Sequence, residues 1–321
     1  MASGSTGVVV AAMFANGGIA VLKFLGFLLT GSPSMLAETY HSISDTGNQV
    51  LLLVGIKYSQ REATQAHPFG YGKAQFFYAF LVSVLLFGIA GWESLTHGIE
   101  KLRHPSEGRE GGAAEFLGFT VDVPLPVDPF WVSVAVLAGG IAFETYAFLK
   151  ARAELKRQMD EYGWSGYREA FERTSDLTTL TAFTEDTVAL VGLSVALVGI
   201  VAARVLENPV YDAAGAVAIG VLLMLFAVLL AVENKRLIVG ESLDEAVEAD
   251  LREAIESDDS IAHVDDLRTV FIGPQEALVT ADVSFGSDLD TGEVDGTIER
   301  IEADLWKRDD RVAVVYVEPE V

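Results

Sequence analysis

Two pairs of ionisable residues lie inside apolar stretches of this chain: His41 with Asp45, and Glu185 with Asp186. Each stretch is long enough to cross a bilayer, where an ionisable side chain is costly and usually marks the path of an ion or substrate. His41 and Asp45 are four residues apart, so they share one face of a helix. Because an imidazole and a carboxylate that face the same way can bind one divalent metal, the spacing predicts a metal site within a membrane.

Depth supports joining the two pairs into one site. At a rise of about 1.5 Å per residue, His41 and Asp45 lie roughly 12–18 Å into their helix, and Asp186 lies roughly 13–14 Å into its own. If the two helices are antiparallel, all three residues reach the middle of the bilayer, where transporters bind their substrates. A lone polar residue is as often a helix-packing group, but one histidine and three carboxylates at one depth need a cation or protons.

Polar residues beside these pairs are weaker candidates. Asn48 shares the face of His41 and Asp45, so it either offers its carbonyl oxygen to the ion or packs against another helix. Glu185 and Asp186 are about 100° apart around a helix. We therefore expect one of them to bind the ion while the other carries protons or bonds a neighbouring helix.

Four further polar residues fall within or beside the apolar stretches. Glu144 is interpreted either as a group that hydrogen-bonds the ligands or as a packing group. Lys23 is interpreted as structural, either snorkelling to the interface or pairing with a carboxylate, and Glu38 as interfacial. His67 precedes a proline in a polar loop, which favours a structural or gating role over metal binding.

Six apolar runs predict a polytopic α-helical membrane protein with six transmembrane helices, since each run can span a hydrocarbon core of about 30 Å. The chain is 50% hydrophobic with a mean hydropathy of +0.34, which is too apolar for an ordinary soluble domain. It contains no cysteine, which excludes disulfides and thiolate metal sites. The first residues lack a positively charged segment, so we expect a retained span rather than a signal peptide. The runs cover residues 8–30, 33–57, 74–99, 128–152, 177–203 and 211–232.

Charge divides the chain near residue 240. Residues 1–239 contain 16 Lys and Arg against 22 Asp and Glu (net −6), whereas residues 240–321 contain 6 against 24 (net −18). We therefore predict a transmembrane transport domain over 1–239 and an acidic domain over 240–321, with no affinity for nucleic acid or anionic lipid. An acidic, lysine-poor surface is also typical of proteins in a high-salt cytosol.

Basic residues in the loops predict the orientation in the membrane. One side carries eleven Lys and Arg and the other carries four, which places both termini and the acidic domain in the cytoplasm. We predict a prokaryotic cell membrane. The eleven are Lys57, Arg61, Lys73, Lys150, Arg152, Lys156, Arg157, Arg168, Arg173, Lys235 and Arg236, and the four are Lys101, Arg103, Arg109 and Arg204.

The acidic domain shows an αββαβ order of elements. Two segments have helical periodicity, three alternate like strands, and Gly273-Pro274 supplies a turn between the first two strands. This order predicts a small α+β ferredoxin-like unit. The helices cover 244–257 and 291–306, and the strands cover 264–272, 277–285 and 312–317.

Five motifs together resemble the cation diffusion facilitator family over nearly the whole chain. They are AETYHSISDTGNQ, HPFGYGKAQFFYAF, GIEKLRHP, LIVGESLDEAV and VYVEPE. The resemblance implies six transmembrane helices with a cytoplasmic ferredoxin-like domain that serves dimerisation and regulation. It also implies a homodimer and proton-coupled export of divalent metals.

The family usually carries His or Asp, followed four residues later by Asp, on both the second and the fifth helix. His41 and Asp45 match this pattern on the second helix. On the fifth helix Asp186 matches the carboxylate, but Ala182 stands at the position of its partner and Glu185 precedes Asp186. This Glu-Asp pair resembles the branch that contains zinc transporter nine. A site with one histidine and several carboxylates leaves manganese, iron and cobalt open beside zinc.

We therefore predict a proton-coupled antiporter without a cofactor that exports divalent metal, zinc first, through a site of His41, Asp45, Asp186 and Glu185. An imidazole nitrogen binds either a metal or a proton near neutral pH, which couples the two fluxes. A membrane-embedded metalloenzyme is the rival class, but the chain has no His-Glu-x-x-His motif and no second histidine pair. A metal sensor that signals through the acidic domain is a third interpretation.

Overall fold

The computed structural model describes residues 2–104, 114–116, 119–121, 127–163, 165–167, 170, 177–287 and 289–320. The chain falls into two compact units. The first contains residues Met1–Leu51 and Leu81–Leu230, and the second contains Leu52–Phe80 and Ala231–Val321. The second unit thus includes the facing ends of two long helices and the loop between them, in addition to the C-terminal residues. A boundary between functional domains at residues 239 and 240 stays a prediction.

Every predicted apolar run corresponds to a helix or to a continuous series of helical segments. The fourth run extends farthest beyond its predicted end, because the residues after 152 are strong helix formers such as Ala, Glu, Leu and Lys. The segments are α1 (Ala2–Thr30), α2 (Pro33–Ser59), α3 (Ala74–Leu85), a π-helical segment (Leu86–Gly91), α4 (Trp92–Arg103), α5 (Pro129–Tyr162), α6 (Leu177–Val205) and α7 (Val210–Val239).

Four helical stretches are long and apolar enough to cross a bilayer, which establishes a helical membrane domain. Of the described residues in α1, only the shorter stretch Asn16–Thr30 is comparably apolar. Helix α2 has 27 residues, but its Glu, His, Asp and Asn side chains make it too polar to meet the same limit. Six transmembrane helices therefore stay a prediction. The four stretches are Ala74–Arg103, Pro129–Asp160, Phe183–Val205 and Val210–Val239.

Helix ends follow local signals in the sequence. Gly31, with φ of 65°, closes α1 by donating its N–H to the Phe27 carbonyl at 2.8 Å. Helix α5 begins behind Asp128, whose carboxylate accepts the Phe130 N–H at 3.0 Å. The same helix ends at Gly163, with φ of 70°. These caps fix the register of both helices relative to their loops.

Glycines allow α4 and α7 to pack with their backbones in contact. A Cβ atom on Gly98 would lie 2.8 Å from the Val217 nitrogen, and one on Gly220 would lie 2.6 Å from the Leu95 nitrogen. Only small residues permit helices to approach this closely. The large apolar core of the first unit includes Phe27, Leu137, Leu193, Ile219 and Leu223, each at most 1% exposed.

A short hairpin in the loop after α4 was not predicted. Strand β1 (Ala114–Phe116) pairs antiparallel with β2 (Phe119–Val121). Strands of three residues are too short to show an alternating pattern in a sequence. Most of this loop, and the basic residues Arg109, Arg168 and Arg173 used to predict the orientation, lie outside the described residues.

The C-terminal residues form a small sheet domain in the predicted αββαβ order. Strand β4 lies between the other two, antiparallel to β3 and parallel to β5. The strands are longer than predicted, and the β3–β4 turn falls on Pro274-Gln275, where Gln275 has φ of 57°. The elements are α8 (Glu245–Glu256), β3 (Ile261–Gly273), β4 (Glu276–Phe285), α9 (Thr291–Arg308) and β5 (Val312–Glu320).

One face of this sheet is covered by α8 and α9, and the buried core includes Leu251, Ile255, Val279 and Leu305. Helix α9 begins with a capping box in which Asp290 accepts the Glu293 N–H and Glu293 accepts the Asp290 N–H. The domain therefore holds its fold by an apolar core and a specified helix start despite its large negative charge.

A carboxylate at the end of α9 is held by Arg311. Two Arg311 nitrogens donate to Asp309 at 2.7 and 2.9 Å, and the Arg311 backbone N–H donates at 2.8 Å. Burial alone would raise the pKa of Asp309, but these hydrogen bonds and the Arg311 charge outweigh burial and hold the pKa below its usual range. Asp309 is thus charged at neutral pH.

Within the second unit, the loop between α2 and α3 touches the β3–β4 turn. A Cβ atom on Gly72 would lie 2.6 Å from both the Gly273 Cα and the Ile272 carbonyl oxygen. Because two stretches of backbone meet directly, glycine is required at both positions of closest approach.

Candidate metal site

The predicted pair on α2 is formed as expected from its spacing. The His41 Nδ1 and Asp45 Oδ1 atoms are 3.6 Å apart, which is too far for a direct hydrogen bond. His41 is only 2% exposed, and neither ring nitrogen has a hydrogen-bond partner in the described part of the chain. A buried imidazole without a partner is rare, because an unsatisfied polar group is costly. Its lone pair is therefore free for a cation.

The predicted pair on α6 is joined to α2 by an amide. The Asn48 Nδ2 donates to the Glu185 Oε1 at 2.7 Å, between residues 137 positions apart in the chain. Because the Asn48 amide donates an N–H group, the Glu185 Oε1 atom accepts this hydrogen bond through one of its lone pairs. Asn48 thus forms a contact between helices through its Nδ2, while a role of its carbonyl oxygen toward an ion stays a prediction.

Charges from three helices converge around this contact. Asp45 on α2 lies close enough to Glu185 and Asp186 on α6 for their charges to act on one another. Glu144 on α5 lies within the same range of Asp45 and Asp186. The common depth of the two pairs stays a prediction, and the Asn48–Glu185 hydrogen bond is a direct contact that joins their helices.

In the described part of the chain, the carboxylates and the His41 imidazole do not meet at one position that could hold a metal ion. Among the described residues, no group of three or more His, Asp or Glu side chains lies close enough to hold a metal ion. Glu185 is instead engaged with Asn48, and His41 with Asp45 forms the other half of the cluster. In this arrangement the two pairs are separate, and a ligand set shared by both would require α2 and α6 to move together.

A buried ion pair lies beside the site, and the sequence did not identify Glu38 as the carboxylate of this pair. The Lys23 Nζ on α1 donates to the Glu38 Oε2 on α2 at 2.9 Å, with side chains that are 1% and 0% exposed. Glu38 was expected at the interface, but a bundle of helices covers it. Lys23 pairs with a carboxylate, one of the two alternatives considered for it. The spacing of Glu38 one turn before His41 was the available signal.

His67 lies in the second unit and has a local structural environment. Its backbone pairs with Thr64 at 3.0 and 3.1 Å, and its ring stacks on Tyr71 with centroids 4.3 Å apart. The side chain is exposed at the end of a tight turn closed by Gly70. These contacts suit the predicted structural role, and a gating role stays a prediction.

Comparison with known proteins points to one family. Residues 9–239 match the family model described as the Cation efflux transmembrane domain. The chain is 29% identical over 278 residues to the "Proton-coupled zinc antiporter SLC30A9, mitochondrial" of Homo sapiens, covering 87% of this chain and 45% of that protein. The Mus musculus protein of the same name is 30% identical over 278 residues, covering 87% and 46%. "Metal tolerance protein C4" of Arabidopsis thaliana is 26% identical over 281 residues, covering 88% and 57%. The chain thus spans about half the length of these relatives.

The predicted location in a prokaryotic cell membrane is wrong. The relatives named above come from eukaryotes, and the two zinc antiporters among them are named mitochondrial. An acidic, lysine-poor composition reflects solvent exposure and salt, and carries no signal for the compartment.

Proposed function

Because the chain belongs to the cation efflux family, we propose that it exchanges divalent metal cations, zinc first, for protons across a membrane. The metal enters from the side that carries the basic loops and leaves on the other. The observation that carries this proposal is the α2–α6 cluster, in which a buried His41 without a hydrogen-bond partner lies beside Asp45. Ionisable groups are kept within membrane helices chiefly where they serve ions or protons.

The proposed ligands are His41 and Asp45 from α2, with Asp186 and Glu185 from α6. Metal binding draws the two helices together, because neither half of the cluster can complete a coordination shell alone. Asn48 orients Glu185, and Glu144 completes the hydrogen bonding around the ligands. Antiporters of this kind need only two arrangements of the same helices, each opening the site to one side of the membrane.

Competition for the same atoms couples the two fluxes. A carboxylate or an imidazole nitrogen that binds a metal must first release its proton, so metal binding expels protons and protons expel the metal. A downhill proton gradient thereby drives metal release on the acidic side. The name of the matched relatives as proton-coupled zinc antiporters supports the same exchange for this chain.

Zinc is the first choice of cargo, with manganese, iron or cobalt as the alternative. One imidazole with three carboxylates is a harder ligand set than two imidazoles with two carboxylates, and harder sets discriminate less strongly in favour of zinc. The relatives named for zinc favour zinc. Those relatives are named as transporters, which favours transport over a membrane metalloenzyme or a sensor.

The assembly around the site follows the family pattern in our proposal. Six transmembrane helices carry the site, and the ferredoxin-like domain over 240–321 pairs with a second copy to form a homodimer. One face of the β3–β4–β5 sheet is covered by helices, which leaves the other available for such pairing.

Flux in sealed vesicles tests the proposal. The purified protein is reconstituted with a pH-sensitive dye inside, and zinc is added outside with and without an imposed pH gradient. We expect zinc to move only when protons move the other way. Absence of zinc, manganese, iron and cobalt flux in the folded wild-type protein would contradict the proposed function.

Substitutions then test the ligands. Asp45→Ala and Asp186→Asn should abolish coupled flux, whereas Glu185→Gln should weaken the apparent zinc affinity. Ile43→Leu is the matched control, because Ile43 lies on α2 with 48% exposure. Normal transport by folded Asp45→Ala protein would remove Asp45 from the site.

A further inference from the structure

Three aromatic side chains from α5, α6 and the segment that connects them form one stack. The Phe148 and Phe183 rings have centroids 5.0 Å apart and an interplanar angle of 31°. The Tyr167 ring, from the described part of the connecting segment, lies nearly parallel to the Phe183 ring, with centroids 6.1 Å apart and an angle of 12°. We call these three residues the aromatic layer. Phe183 is its central ring, because it contacts both of the others.

An arginine holds the Tyr167 ring in this layer. The Arg152 Nε donates to the Tyr167 Oη at 2.9 Å. Arg152 follows Phe148 by four residues, so both side chains lie on the same face of α5. Tyr167 is 38% exposed and Arg152 is also exposed, so water can replace this hydrogen bond when it breaks.

The aromatic layer lies one helical turn from the proposed metal site on both helices. Phe148 follows Glu144 by four residues on α5, and Phe183 precedes Asp186 by three residues on α6. Residues three or four apart share a face of a helix and are separated by about 4.5–6 Å along its axis. On both helices the step leads from the carboxylate toward the connecting segment. The layer therefore stands between these carboxylates and that segment.

This placement suits a barrier that can open. A constriction lined by apolar groups excludes water and hydrated ions while it is closed. Each contact between aromatic rings is individually weak, so the rings can separate without unfolding the helices. The connecting segment continues from the part of α5 that carries Lys156 and Arg157, and it belongs to the basic side from which metal enters in the proposed cycle. A cation that approaches from there meets the aromatic layer before the carboxylates.

We propose that the aromatic layer is the entry gate of the transport site, and that the Arg152–Tyr167 hydrogen bond holds this gate closed. This inference rests on the proposed exchange of metal for protons, which defines the entry side. Stacked rings close the site to that side, and separation of Tyr167 from Phe183 opens it. Tyr167 is a positioning residue that controls access to the ligands.

Access to an introduced thiol tests the gate. The chain has no cysteine, so Asp45→Cys gives a single reporter in the site, on a helix that carries no part of the layer. The purified full chain is reconstituted in lipid vesicles, and capture through a C-terminal tag selects vesicles with the entry side outward under the proposed six-helix arrangement. The rate of labelling by a membrane-impermeant cationic methanethiosulfonate is measured in these vesicles, and from the other side in the vesicles that are not captured.

Loss of the ring contacts should accelerate labelling from the entry side only. Phe183→Ala removes the central ring and both of its contacts, so the rate should rise by about tenfold or more. Tyr167→Phe keeps the ring but removes the hydroxyl, so the rate should rise by about 2–10-fold. Arg152→Ala should have the same effect as Tyr167→Phe, and the double variant should add nothing further, because both changes remove one hydrogen bond.

Matched controls make the same chemical changes elsewhere on α5. Phe143→Ala and Tyr146→Phe alter side chains that are 38% and 70% exposed, and both should keep the rate of the Asp45→Cys parent. If the layer only packs helices together, the Phe183 and Tyr167 variants lower the melting temperature while entry-side labelling stays at the parent rate or rises equally from both sides. Either result overturns the inference, and an unchanged rate in folded Tyr167→Phe suffices where Phe183→Ala does not fold.

Zinc flux of the wild-type protein is measured separately in the same vesicles. Absence of coupled flux would refute the proposed exchange, whereas the labelling rates test the aromatic layer alone.

Discussion

The contact between Asn48 and Glu185 allows a quantitative test of how α2 and α6 cooperate. Its 2.7 Å distance is that of a short hydrogen bond, which is charge-assisted when Glu185 is ionised as a zinc ligand. A bond to a charged group contributes about 1.5–3 kcal/mol, which corresponds to roughly 10–150-fold in a binding constant at about 1.4 kcal/mol per factor of ten. Asn48→Ala should therefore weaken apparent zinc affinity by about one to two orders of magnitude, because Glu185 loses its orientation.

Zinc dependence of flux in vesicles measures this effect, with calorimetric titration of the purified protein as a second measure. Thr46→Val is the control on the same helix, because the Thr46 hydroxyl donates only to the Ser42 carbonyl of α2 at 2.9 Å. On a Glu185→Gln background, Asn48→Ala should cost little further affinity, since the two residues act as one unit. Equal losses with and without the Glu185 carboxylate would show that Asn48 acts on something else.

Three further substitutions test packing and charge. Gly192→Ala should destabilise the membrane domain by about 1–3 kcal/mol, measured as a lower melting temperature in detergent, because the new Cβ atom would meet the Glu38 carboxylate at 2.6 Å. Gly72→Ala should push the α2–α3 loop away from Gly273, measured as faster hydrogen exchange of the β3–β4 turn, since both opposing atoms are backbone. The pKa of Asp309 is held low by hydrogen bonds, so its contribution to stability is present above its unfolded pKa and is lost as the pH falls through the folded pKa. Asp309→Asn should lower the urea midpoint of the C-terminal domain at neutral pH and converge with wild type in acid, as followed by the single tryptophan of that domain after the other three are replaced.

Each of these has a control that differs in one property. Gly139→Ala lies in α5 with open space around the added atom, so an equal loss of stability there would mean that Gly192 is not special. Gly296→Ala in α9 has nothing within 4 Å and should leave hydrogen exchange of the turn unchanged. Asp310 is exposed, and a similar midpoint shift in Asp310→Asn would show that general charge, rather than the Arg311 contact, controls the domain.

The sequence predicted most of the helices because their signals are local. Apolar runs, a glycine after α1 and a proline at the start of α5 each specify an end or a length without reference to the rest of the chain. The same holds for the sheet domain, where alternation and one turn predicted the αββαβ order of elements along the chain, but not which strands are neighbours in the sheet. The short hairpin β1–β2 was not predicted, because a strand of three residues is too short to show an alternation of apolar and polar residues.

The side-chain contacts between helices could not be predicted in the same way. The 137-residue separation of Asn48 and Glu185, and the burial of Glu38 beneath Gly192, depend on how helices rotate against one another. The four-residue spacing predicted that His41 and Asp45 share one face of α2. It could not predict that Lys23 would form an ion pair with Glu38, one turn before His41. Which side chains meet in a helix bundle depends on tertiary packing. The depth of each residue along its helix was the one aspect of that packing that the sequence could predict.

Around the proposed site, the first unit contains more carboxylates than basic side chains, and this excess of negative charge constrains its function. Five carboxylates on three helices lie in or beside the proposed site, together with His41 and Lys23. An isolated buried carboxylate is too costly to stay charged without a partner, and Lys23 is already committed to Glu38. Under the proposed exchange, the other four carboxylates release protons when a divalent ion binds and take protons up when it leaves. Metal selectivity would then depend on how closely α2 and α6 can bring a single imidazole to their shared carboxylates. The carboxylates are Glu38, Asp45, Glu144, Glu185 and Asp186.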